Sequence, residues 1–128
     1  MRSTFIGLPT RDLARATQFF TGLGFARNPR ASGERMACVV IDERTSVMLY
    51  EAEYFTEFTR SAIADPTVAS EVSIGVTAET RAEVDELTER AVAAGGQDVG
   101  QQDLGYMYMR AFRDLDGHRW AFMHFAQA

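Results

Sequence analysis

Apolar and polar positions along this chain alternate first with the period of a strand and then with that of a helix, and the change occurs twice. Residues 4–8 (Thr4, Phe5, Ile6, Gly7, Leu8) form a short β-prone run. Leu13, Ala16, Phe20 and Leu23 then recur at helical spacing, with Asp12 placed to cap the helix and Gly22 and Gly24 to end it. Residues 72–76 repeat the strand signal. Thr80 and Glu83 follow as a capping box ahead of apolar Val84, Leu87, Ala91 and Ala94, and Gly95 and Gly96 stop the second helix.

Three further strand-like runs follow each helix, at 25–28, 36–41 and 46–50 in the first half and at 99–102, 106–112 and 119–125 in the second. Polar, turn-prone segments at 42–45 and 114–117 separate the last two runs of each half. The order strand, helix, strand, strand, strand thus recurs, and the pattern predicts a single α+β domain, 1–128, built of two βαβββ modules at 1–52 and 69–128. The linker 53–68 contains Tyr54, Phe55 and Phe58 on one side of a short helix, expected to pack against the core, with a lid or dimer contact as the alternative.

Composition narrows the classes of function. With 128 residues, 46% hydrophobic and 24% charged, the chain has ordinary globular usage. A net charge of -5 and a pI near 5.0 disfavour nucleic acid as a partner, because phosphate-backbone binding needs a basic stripe. No apolar run reaches the roughly 20 residues of a membrane span, and the amino terminus lacks the apolar core of a secretory signal, so a cytoplasmic location is expected. The single cysteine, Cys38, lies in an apolar run and reads as a small buried thiol.

The run Leu8-Pro9-Thr10-Arg11-Asp12-Leu13, the segment 19–25 and the terminal Asp114-Leu115-Asp116-Gly117-His118-Arg119-Trp120 resemble the vicinal oxygen chelate superfamily of glyoxalases, bleomycin-resistance proteins and extradiol dioxygenases. Val47-Met48-Leu49-Tyr50, the 55–59 linker segment and 91–96 are similar to a bacterial glyoxalase-like subgroup. The resemblance covers nearly the whole chain. It implies curved mixed sheets of order 1-4-3-2, helices on their convex side, an enclosed cavity and frequent pairing into homodimers. Members use the cavity to hold a divalent metal that binds vicinal substrate oxygens, or to sequester a compound without chemistry.

In metal-using members the resemblance implies His, Glu or Gln ligands from the first and last strand of each module, a geometry that leaves positions open for substrate. The matching positions here are Phe5, Met48, Glu71 and Ala121. Only Glu71 has a ligand-type side chain, so no metal cofactor is expected. His118 lies in a turn, and His124 alternates onto the face opposite Ala121 and Met123.

The candidate pocket residues are Phe5, Met48, Tyr50, Ala121 and Met123, with Glu71 as polar anchor and candidate base. Tyr108 and Arg110 join them if that side of residues 106–112 points inward, and would bind a carboxylate or enolate. The expected function is binding or sequestration of an apolar or aromatic small molecule, including one with a basic group facing Glu71. The alternatives are a metal-dependent lyase or dioxygenase, a metal-free proton-transfer enzyme using Glu71, and a domain whose use is dimerisation.

Overall fold

A computed structural model describes residues 2–127. The first half runs β1 (Thr4–Thr10), α1 (Leu13–Gly22), β2 (Ala26–Asn28), a 3-10 turn (Pro29–Ala31), β3 (Met36–Val40), β4 (Thr45–Glu51) and α2 (Ala52–Thr59). The second runs β5 (Ser73–Thr77), α3 (Arg81–Ala93), β6 (Gln97–Asp103), β7 (Met107–Arg113) and β8 (Arg119–Phe125). The chain forms two compact units that divide between Ala64 and Asp65, inside the expected linker. Helix α2 belongs to the first unit.

The expected α+β fold and strand order are present in both units. The sheets have the orders β1-β4-β3-β2 and β5-β8-β7-β6, with the first and last strand of each module parallel and all other neighbours antiparallel. Pro9 fits within β1 because that strand is an edge, where a missing N–H breaks no ladder. Both helix starts carry their expected caps. Asp12 accepts from the Arg15 N–H at 3.1 Å, and Thr80 Oγ1 accepts from the Glu83 N–H at 3.0 Å. The Glu83 carboxylate reaches back to the Glu79 N–H at 2.9 Å, one residue further than the usual box.

The two helices hold their sheets by different chemistry. Helix α1 presses buried Ala16, Phe19 and Phe20 onto Leu8, Ala37, Val39, Val47 and Leu49, an almost wholly apolar contact. Helix α3 offers only Val84, Thr88 and Ala91 as buried residues, against Phe112, Trp120 and Phe122. Phe112 stacks on Trp120 and Phe122 with ring centroids 6.4 and 5.4 Å away. Thr88 spends its hydroxyl on the Val84 carbonyl at 2.7 Å, so it enters the core without an orphan group.

Charge completes what α3 lacks in apolar area. Arg110, 8% exposed, donates to Glu89 at 2.7 Å and Asp98 at 2.7 Å and approaches Asp85 at 3.5 Å. Tyr108 donates its hydroxyl to the same Asp85 at 2.6 Å. Burial alone would lower the Arg110 pKa, but the Glu89 and Asp98 hydrogen bonds hold it above its ordinary value. Asp98 is in turn held below the usual carboxylate range by the Gly100 N–H and by Arg110. At the rim Asp103, bound first by Arg81 and then by the Gly105 N–H, falls to about 2.

Arg110→Gln is expected to cost about 2–3 kcal/mol in urea unfolding, because three carboxylates lose their shared cation while staying partly solvated. Thr80→Ala is expected to cost about 1 kcal/mol. Because the folded pKa values of Asp98 and Asp103 lie below the ordinary 3.8, their contribution is complete above that value and is lost as pH falls through the folded values toward 2. A stability profile flat between pH 4 and 2 would contradict this ordering.

Candidate functional site

Strand parity sorts each sheet into a helix-covered face and a far face. In the first unit Ile6, Leu8, Val47 and Leu49 point toward α1, so their neighbours Phe5, Gly7, Ser46, Met48 and Tyr50 point away. Antiparallel register adds Met36 and Cys38 opposite Tyr50 and Met48. Phe5 is 61% exposed, whereas Met48 and Cys38 are buried.

Helix α2 lies on this far face. A Cβ on Gly7 would meet the Tyr50 ring at 2.9 Å and the Phe55 ring at 3.9 Å, so both rings sit over the glycine. Tyr50 also packs on Tyr54 and, edge-on at 4.8 Å, on Phe58. The expectation that Tyr54, Phe55 and Phe58 join the core is therefore corrected. They build an aromatic cluster on the side away from α1, and no residue of α2 is fully buried. Arg35 stands 4.7 Å above the Tyr54 ring and is tied to Glu51 and Glu57. Burial, then the neighbouring Tyr54, pushes the Tyr50 hydroxyl pKa up.

In the second unit the far face carries Ser73, Gly75 and Thr77 from β5, Arg119, Ala121 and Met123 from β8, and Met107, Met109, Ala111 and Arg113 from β7. Met123 lies over Gly75, where a Cβ would meet its methyl at 2.7 Å. Tyr108 and Arg110 are on the other side. Their inclusion in one pocket with Ala121 and Met123 is corrected, because β7 alternates and both side chains are committed to α3 and β6.

Register also corrects one of the four ligand-type positions. Met48 pairs with Gly7 and Ala121 with Gly75, so the two residues behind those glycines, Phe5 and Ser73, correspond. Phe5 precedes the Asp12 cap by the same seven residues that separate Ser73 from the Thr80 cap. Glu71 lies two residues ahead of β5, outside the sheet and exposed. The positions hold Phe5, Met48, Ser73 and Ala121. None carries a carboxylate, imidazole or thiolate.

The two histidines are placed elsewhere. His124 points toward the α3 side, as expected, with Nδ1 3.1 Å from the Ala78 carbonyl. It lines a depression of about 400 Å³ with Thr77, Ala78, Glu79, Phe125 and Gln127. Asp114, Asp116 and His118 bring ligand-type atoms within 4.8 Å of one another in the β7–β8 turn. Its buried member is already filled. Asp114 accepts from the backbone N–H groups of Asp116 and His118 and from the Trp120 indole at 3.0 Å, and burial pushes its pKa up. This turn fastens β8 to β7 around Trp120.

The sequence profile described as the Glyoxalase/Bleomycin resistance protein/Dioxygenase superfamily matches residues 2–122. The chain belongs to that superfamily. A hypothetical protein from S. aureus is 30% identical over 97% of this chain and 94% of its own, with a TM-score of 0.83. A glyoxalase/bleomycin resistance protein/dioxygenase family enzyme from Burkholderia phytofirmans shares the fold at 14% identity, a TM-score of 0.84, and 98% and 100% coverage. A fosfomycin resistance protein from Mesorhizobium Loti does so at 15% identity, a TM-score of 0.69, and 96% and 91% coverage. A search of curated proteins returned no significant match.

Within this superfamily chain the two far-face glycines are unequal. Gly7→Ala is expected to cost about 1 kcal/mol in urea unfolding, because Tyr50 is held by three further rings and cannot give way. Gly75→Ala is expected to stay within about 0.5 kcal/mol, since the obstructing Met123 methyl ends a flexible chain.

Proposed function

We propose that this superfamily member binds or sequesters an apolar or aromatic small molecule without the divalent metal used elsewhere in the family. The carrying observation is the set Phe5, Met48, Ser73 and Ala121 at the four register positions. A thioether, a phenyl ring, a methyl group and a lone hydroxyl offer a hard divalent cation neither charge nor enough donors. The far-face surroundings support a binder. Tyr50 and the α2 rings in the first unit and Met107, Met109 and Met123 in the second are polarisable apolar groups suited to adaptable ligand contact.

The reading of Glu71 as a base, or as anchor for a basic group, draws no support from an exposed position outside β5. The fold alone does not choose between chemistries, since a fosfomycin resistance protein and a lactoylglutathione lyase from Agrobacterium tumefaciens both share it. The proposal includes a homodimer, for which exposed Phe5, Phe58, Val72 and Phe125 are candidate contacts, and a cytoplasmic location. Among the described residues no helix is long and apolar enough to cross a membrane.

Protein purified without chelator is expected to carry only substoichiometric metal by mass spectrometry, and EDTA is expected to leave its melting temperature unchanged. An aromatic ligand at a hundred times its Kd is expected to stabilise the fold by about 2.7 kcal/mol. Stoichiometric nickel, zinc, manganese or iron removed with loss of stability would overturn the metal-free reading. A monomer by light scattering at micromolar concentration would remove the dimer.

A further inference from the structure

The far face of the second sheet holds two arginines in a position that proteins ordinarily avoid. Arg113 of β7 and Arg119 of β8 are direct cross-strand partners on the same face, and both are half-buried. Side chains so paired leave Cβ atoms about 4.5–5.5 Å apart, and like charges there repel. The one other arginine in these strands, Arg110, meets three carboxylates on the opposite face. Among the described residues the Arg113 side chain donates only to two backbone carbonyls, Pro66 at 2.6 Å and Gly117 at 3.2 Å. The Arg119 side chain has no hydrogen bond or ion pair among the described residues.

We propose that Arg113 and Arg119 form the subsite for an anionic group, carboxylate or phosphate, on an otherwise apolar ligand. The inference rests on the small-molecule reading above and specifies its ligand class. The carbonyl contacts of Arg113 hold its guanidinium still while leaving other N–H donors for an anion. Arg119 supplies a second planar fork, the geometry that recognises carboxylate and phosphate oxygens by paired bonds. Ser73, beside Arg119, and Gln97, beside Arg113, add neutral donors on the flanking strands.

The same face then changes character along the strands. Next come the small residues Gly75, Ala111 and Ala121, and after them Thr77, Met109 and Met123. At a rise of about 3.4 Å per residue, Arg119 and Met123 stand roughly 13 Å apart. A flat apolar body reaching toward the methionines would place its acid group between the arginines. The anion removes the like-charge repulsion that the empty pair retains, so the subsite favours an acidic ligand over its neutral analogue.

The test uses methyl-labelled methionine NMR on the full chain, with Met107, Met109 and Met123 as reporters, titrated with naphthoate, naphthyl phosphate and neutral naphthamide. The expected result is that one or both anions bind more tightly than the amide. Arg119→Gln is expected to weaken the anions about tenfold, to leave the amide unchanged, and to raise or preserve the melting temperature of the free protein. Arg119→Lys is expected to keep part of the preference, and Arg113→Gln serves as the independent second variant. Equal binding of anions and amide, unmoved by either Gln substitution, overturns the anion subsite and leaves the small-molecule reading standing. No methionine shift with any of the three probes overturns both.

Discussion

Parallel pairing of the first and last strand of each unit is the constraint on which the other features depend. Once β1 lies beside β4 and β5 beside β8 in their observed registers, the two-residue period of a strand decides which side chains share a face. The apolar sets Leu8, Val47, Leu49 and Phe112, Trp120, Phe122 must meet a helix. What remains on the far faces is fixed by the same step, and a shift of one residue would exchange the two sets. Gly7 and Gly75 support the arrangement, each lying beneath the residue two places beyond its partner on the neighbouring strand, Tyr50 and Met123.

From this common plan the two units part in how they are held. The first is closed by aromatic and aliphatic area under α1 and gains a second aromatic layer from α2 on its other side. The second has a helix too polar for that. It is drawn down by Arg110, which gathers carboxylates from α3 and β6 while Tyr108 shares one of them. Duplication thus preserves topology while the chemistry of cohesion changes, because topology needs only the pairing order and many side-chain sets can bury the same surface.

The far faces have diverged further still. Phe5 and Met48 in the first unit and Ser73 and Ala121 in the second hold equivalent register positions, and none carries a carboxylate, imidazole or thiolate. The far face of the first unit carries aromatic rings, and that of the second carries thioethers and two arginines. The same topology thus carries aromatic contact on one far face and thioethers with guanidinium charge on the other, because the far-face side chains can change without disturbing the pairing order.

The sequence by itself determined the module order, both helix caps and the superfamily, since each is written in local spacing and residue type. It also placed His124 correctly, by counting in twos from Ala121. Counting backward from Val76 misassigned Glu71, because a strand's end is poorly marked in sequence whereas the Thr80 cap, and the pairing of Ser73 beside Arg119, leave no choice. Tertiary structure alone decided that Tyr108 and Arg110 serve α3 and that α2 lies on the far face. It also set Arg113 against Arg119. Those outcomes depend on which partner approaches which face, and residues separated by a turn or by half the chain carry no local record of that meeting.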